Sequence, residues 1–202
     1  MSSRGAALGI DLTGRAVIAG WANQGSGRDV MLVRLTPDSA PDPSFGVSRV
    51  VLLQAPADPQ AVAAIAIQPD GRILVAAATT EGGSADFLLV RLAPSCALDQ
   101  GLGTGGRAVV VVGGDDHPVS MALLLEGHVV MGGNGAAGPE LARFPAQRRP
   151  RPHTFGEAGA ASIFLGSEGV VPSIARAAKG KLLLAGTQAG SPYKGFVARV
   201  WN

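Results

Sequence analysis

The residues of this 202-residue chain that could do chemistry are few and scattered. Three arginines crowd into one proline-rich stretch, RRPRPH: Arg148, Arg149 and Arg151. Held in an extended loop, such a cluster can take a phosphate, an anionic polymer or the acidic face of a protein; solvated arginines without a ligand are the plainer reading. A second cluster, GGDDHP at 113–118, brings Asp115, Asp116 and His117 together. Its carboxylates can hold a hard cation, although a solvated turn between repeats is favoured. His128 and His153 stand apart from it and from each other. No His-x-x-x-His or Cys-x-x-Cys spacing exists, so no zinc set is expected. Cys96 is the single cysteine. It excludes an internal disulfide and, with no histidine nearby in sequence, reads as an inert thiol in a turn.

Two stretches fit the dinucleotide fingerprint by letter, Gly101-x-Gly103-x-x-Gly106 and Gly133-x-Gly135-x-x-Gly138. That chemistry needs a strand before and a helix after, so that the helix N-terminus meets pyrophosphate. Here strand-like runs follow, so both read as turns. There is no serine–histidine–acid set, no paired carboxylates of defensible spacing and no phosphate-cradling lysine loop. No catalytic residue, metal or cofactor is expected.

Composition narrows the class further. Hydrophobic residues make up 47% and charged residues 16%, the reverse of a disordered chain. The 29 glycines and 14 prolines fall between short apolar runs, as many strands joined by tight turns require. A net charge of +2, with both signs interspersed, makes nucleic acid an unlikely partner. No apolar run approaches the ~18 residues of a membrane helix. Asp11 and Arg15 interrupt the N-terminal stretch, so no signal peptide is read and the cytoplasm is the default location.

The elements that must position these residues are repeats. AIAIQPDGRILVAAA, at 64–78, is two apolar strands around a Pro-Asp-Gly turn, and altered versions surround three other glycines. Gly14, Gly71, Gly127 and Gly180 are spaced by 57, 56 and 53 residues. Strands are expected over 6–12, 15–20, 30–36 and 49–54; 61–68, 72–78, 87–93 and 107–112; 119–125, 128–132, 140–144 and 160–165; and 170–177, 181–186 and 195–201. The repeats span about 6–60, 61–118, 119–169 and 170–202, read as one domain. Arg34, Arg91, Arg143 and Arg199 recur near the end of each third strand. Their repetition favours a structural role, each reaching an acidic or carbonyl partner between blades, over a ring lining a channel. Phe45-Gly46, Leu102-Gly103 and Phe155-Gly156 recur after them, preceded by Asp42 and Asp99 in the first two copies. The apolar residue is expected to plug the core while the glycine takes a backbone angle others avoid.

Four strands per ~50–60 residues predict an all-β, β-propeller-like fold: four blades of about four antiparallel strands, the last incomplete. A β-sandwich or irregular β-solenoid is the alternative. The segments IQPDGRILVAA and DFLLVRLAPSCALDQGLG resemble the delta-60 repeat, a bacterial β-propeller family of unknown function. The second repeat carries the resemblance best, through Gln68, Pro69, Asp70, Gly71, Asp86, Arg91, Asp99 and Gly103. The resemblance implies a propeller, often within extracytoplasmic proteins, and brings no catalytic residues. The expected function is a non-catalytic module for binding or scaffolding. Protein or an anionic polymer is the expected partner, with the arginine loop the place to look. The alternatives are a propeller-type enzyme, such as a metal-assisted hydrolase or lyase, and part of a larger propeller completed by another chain. An unpaired β-edge, open to self-association, is expected because no sixteenth strand is found.

Overall fold

A computed structural model describes residues 3–24, 27–53, 62–80, 83–111, 114–125, 127–135, 138–145, 160–162, 169–178, 181–188 and 194–201. Fifteen strands lie among them. The first sheet holds β1 (Ser3–Ile10), β2 (Ala16–Gln24), β3 (Gly27–Leu35) and β4 (Val50–Leu53). The second holds β5 (Val62–Ile67), β6 (Ile73–Thr79), β7 (Asp86–Leu92) and β8 (Arg107–Val110). The third holds β9 (His117–Leu123), β10 (Val129–Gly135), β11 (Gly138–Phe144) and β12 (Ala160–Ser162). The fourth has three strands, β13 (Gly169–Arg176), β14 (Lys181–Gln188) and β15 (Lys194–Trp201). All pairings are antiparallel between strands consecutive in the chain. The fold is thus all-β and propeller-like, with four small sheets that, among the described residues, do not close into a ring. No helix among the described residues is long and apolar enough to cross a membrane.

The repeat is physical as well as textual. Gly14, Gly71 and Gly127 have φ of 81°, 83° and 78°, a region that costs an L side chain about 1–2 kcal/mol. Each donates its N–H to the carbonyl three residues earlier: Asp11 at 3.0 Å, Gln68 at 2.9 Å and Leu124 at 3.1 Å. Those three residues in turn donate to Arg15, Arg72 and His128, closing each hairpin. Ala177 donates to Lys181 in the same way at 2.8 Å, although Gly180 lies outside the described residues. A bulge also recurs where each first strand pairs with the second, at Gly5/Ala7, Val62/Ala64, Gly132/Gly133 and Val170/Ser173. Bulges sharpen the local twist.

The strands fall where the apolar runs put them, with shifted ends. β1 stops at Ile10, because Asp11 turns the chain. Its Oδ1 accepts the N–H groups of Thr13 (2.8 Å) and Arg15 (3.0 Å), and its Oδ2 accepts Arg15 Nε at 2.7 Å. The middle strands β10 and β14 run two or three residues past their expected ends.

Three apolar cores alternate with the sheets. Val17, Ala19, Val30 and Leu32 of the first sheet meet Ile73, Val75, Leu88 and Val90 of the second. Leu74, Ala76, Phe87 and Leu89 on its other face meet Val129, Met131 and Ala142. Val130 and Leu141 meet Ile174, Leu182 and Leu184 of the fourth sheet. β6 and β7 are consequently buried along their whole lengths, which is why both faces of those strands are apolar. β1, β5, β9 and β13 pack in succession on one another, forming the spine of the array.

Candidate functional site

Two groups of buried charge stand at opposite ends of β7. At its C-terminal end, Arg91 Nε donates to Asp99 Oδ2 at 2.9 Å; in the first repeat, Arg34 Nε donates to Asp42 Oδ2 at 2.7 Å. Both arginines are 6% exposed. Asp42 also accepts the hydroxyl (2.7 Å) and N–H (2.9 Å) of Ser44. These Ser44 bonds first, and Arg34 after them, hold its carboxyl down at about 2. Burial alone would raise Asp99. The Gly101 N–H at 2.9 Å, with Arg91 and with Arg72 Nε at 2.7 Å, outweighs it and keeps that carboxyl below its ordinary value. Arg34 also lies over the Phe45 ring, 4.6 Å from its centroid.

The sequence suggested partners between blades. The structure instead pairs Arg34 and Arg91 with an aspartate eight residues on in the same repeat, because the loop after the third strand folds back onto its own sheet. Asp42 and Asp99 donate their N–H groups to the carbonyls of the same two arginines, both at 2.9 Å. Phe45 and Leu102 then enter the core, at 0% and 1% exposure, and Gly46 and Gly103 follow with φ of 64° and 47°. Arg143 is half-buried on β11 and Arg199 exposed on β15. All four arginines stand on third strands, not on the spine.

At the N-terminal end of β7, the Ala85 N–H donates to Asp115 Oδ1 at 2.9 Å, and its carbonyl accepts the Asp116 N–H at 2.6 Å. These two bonds fasten the segment before β9 to the second sheet and place Asp116 wholly inside. There it hydrogen-bonds Glu140 of β11, itself 2% exposed. Gly135 makes the room: a Cβ there would run into the Glu140 carboxylate. Burial first, and Asp116 second, push Glu140 up to about 8. Asp86 is pushed up too, by burial and then by Asp116 and Asp115. Its register partner across β6 and β7 is Thr79, also fully buried. Thr79 Oγ1, Asp86 Oδ1 and Glu140 Oε2 have no hydrogen-bond partner among the described residues.

Two acidic side chains buried side by side are an arrangement that acid–base chemistry can use. At 2% and 0% exposure, however, neither group is open to a substrate in this conformation. Among the described residues, no three histidine, cysteine or acidic groups converge as a metal site would require. Within the GGDDHP stretch, expected as a solvated turn, Gly114, Asp115 and His117 are exposed while Asp116 and Pro118 are buried. Glu140 was not singled out from sequence. Its signal is positional, since the same place in the other repeats holds Met31, Leu88 and Phe196.

Arg148, Arg149, Arg151, His153, Phe155 and Gly156 lie outside the described residues. Cys96 is half-buried in a turn with φ 70°, packed against the first core, and its counterpart Ser39 has φ 62°. His128 is half-buried beside the third hairpin turn. Of the two glycine fingerprints, one lies in the loop before β8 and the other spans the β10–β11 hairpin; a strand follows each.

The pattern of a family described as "Domain of unknown function (DUF5122) beta-propeller" matches residues 13–45 and 68–101. Those stretches run from the first hairpin turn of each repeat through its second and third strands, β2 and β3 or β6 and β7, into the paired-arginine loop. No curated protein matches the chain. Among solved structures, it is similar to an α-L-arabinofuranosidase from Podospora anserina, at 12% identity and a TM-score of 0.47. It is also similar to a mannose phosphorylase from Leishmania mexicana, at 12% identity and 0.41. The chain is covered over 98% and 96% of its length and spans 64% and 66% of theirs, just under two thirds in each case. With its four successive antiparallel sheets and two stretches that match this family, the chain is a β-propeller-type repeat domain.

Proposed function

We propose that this domain is a non-catalytic binding and scaffolding module that takes an anionic partner through the loop of its third repeat. The supporting observation is a broken pairing rule. The first two repeats neutralise their third-strand arginine with Asp42 or Asp99, eight residues on. Eight residues after Arg143 the third repeat has Arg151, with Arg148 and Arg149 beside it. Where the first two repeats supply a structural anion, the third has no acid between Arg143 and Phe155 and three arginines within four residues. Guanidinium groups gathered in one short stretch suit carboxylate or phosphate recognition, because their planar forks can bind two oxygens at once.

The test is binding of a polyphosphate probe to the whole chain across a salt series. A salt-sensitive affinity that falls about tenfold or more in an Arg148→Ala/Arg149→Ala/Arg151→Ala variant supports the reading. Equal binding by variant and parent, or none by either, overturns it.

A further inference from the structure

The two ends of the array carry complementary core-type faces. In the first sheet Val17, Ala19, Val30 and Leu32 point toward the second sheet. The opposite face carries Leu8, Ile18 and Val33, side by side in register, with Ile10 beyond them. Leu8 and Ile10 are 59% and 66% exposed. One repeat later, 57 residues on, the counterparts of Leu8, Ile10, Ile18 and Val33 are Ile65, Ile67, Val75 and Val90. Those are residues by which the second sheet packs onto the first. The free face of the first sheet is therefore patterned to receive a preceding sheet.

The fourth sheet shows the converse. Leu182, Leu184 and Ile174 are buried against the third sheet. Leu183 and Val197, on the other face, are 39% and 76% exposed. Their counterparts, Val17 and Leu32 in the first sheet and Leu74 and Leu89 in the second, are buried against the sheet that follows.

We propose that the free face of the first sheet is a docking surface for the fourth sheet of a second copy of this chain, joined head to tail. The contact continues the series of sheet-to-sheet interfaces already established within the chain, so its chemistry is that of the three internal cores. It is heterologous: one copy offers its first sheet and the other its fourth, so association can extend or close into a ring. A single sheet face is small beside a standard interface of ~800 Å² per partner, which places the affinity on the order of micromolar or weaker.

Sedimentation or light scattering of the whole chain, from about 5 to about 500 μM, tests this. The parent is expected to grow in mass with concentration. Leu8→Glu and Val197→Glu each put an unpaired charge on one face, at positions more than half exposed, and circular dichroism checks that both variants fold. Each alone should weaken association more than about tenfold, while their mixture should form a one-to-one dimer that grows no further. Three results overturn the proposal. The first is a parent that is monomeric throughout, as when its own fourth sheet or another partner covers the face. The second is a variant that still associates alone, as pairing of strand edges would allow. The third is a mixture that stays monomeric.

Discussion

Arg91 Nε lies 2.9 Å from Asp99 Oδ2, and the Asp99 N–H returns a bond of 2.9 Å to the Arg91 carbonyl. Side chain and main chain together make a two-point clasp that holds the loop after β7 on its own sheet. Arg34 and Asp42 repeat it at 2.7 and 2.9 Å. Most of the loop's geometry follows from this clasp, including the entry of Leu102 or Phe45 into the core.

Removing one partner should therefore cost far more than removing an exposed ion pair. Asp99→Ala leaves the Arg91 guanidinium buried without its anion, an effect of about 3 kcal/mol. For a chain of this length the melting temperature should fall by roughly 6–12 °C. The Arg91→Leu/Asp99→Ala double variant should lose less than the sum of Asp99→Ala and Arg91→Leu made singly. Thermal denaturation of the four proteins measures both.

Glu140 makes stability depend on pH in the opposite sense from an ordinary ion-paired carboxylate. Folding raises it from 4.5 to about 8, so the folded chain holds more protons than the unfolded chain between those values. Stability should fall as pH rises through that window. Glu140→Gln keeps a donor for Asp116 without a titrating proton and should flatten the slope; a slope that survives in the variant assigns the effect elsewhere. Below about pH 4 the sign reverses. Asp42 and Asp99, lowered by folding, then take up protons and their contribution is lost.

Internal comparison also points to a stabilising change. Arg49, exposed just before β4, sits at φ 71°, where the second repeat has Gly106 at φ 81°. Arg49→Gly relieves a left-handed conformation worth about 1–2 kcal/mol and gives back part of it as unfolded-chain entropy. A net gain of about 0.5–1 kcal/mol is expected in chemical denaturation. A loss would mean that Arg49 makes a compensating contact.

Gly103 should tolerate substitution less well than Gly71. Both have positive φ, but a Cβ on Gly71 would stand 3.3 Å from the Pro94 ring, whereas one on Gly103 would collide with the Arg107 carbonyl. Gly71→Ala should cost about 1 kcal/mol. Gly103→Ala adds a backbone collision and should cost more than about 3 kcal/mol.

What the sequence by itself determined was local and repeated. A glycine that must adopt positive φ between two apolar runs specifies a hairpin, and short apolar runs bounded by Gly, Pro and Asp mark the third and fourth strands, so all fifteen strands were legible. Tertiary structure decided everything that depends on which sheet lies next. It put the partners of Arg34 and Arg91 in their own repeats, since a loop's return path is not written in spacing. It buried Asp116, which stands in a polar run, because two bonds to Ala85 pull its segment inward. It turned Glu140 from one charged letter in PELARF into the buried neighbour of Asp116. And it left uncovered, at Leu8 and Val197, apolar faces whose counterparts in the middle sheets are buried: an apolar strand face shows only that something should cover it, and packing alone decides what does.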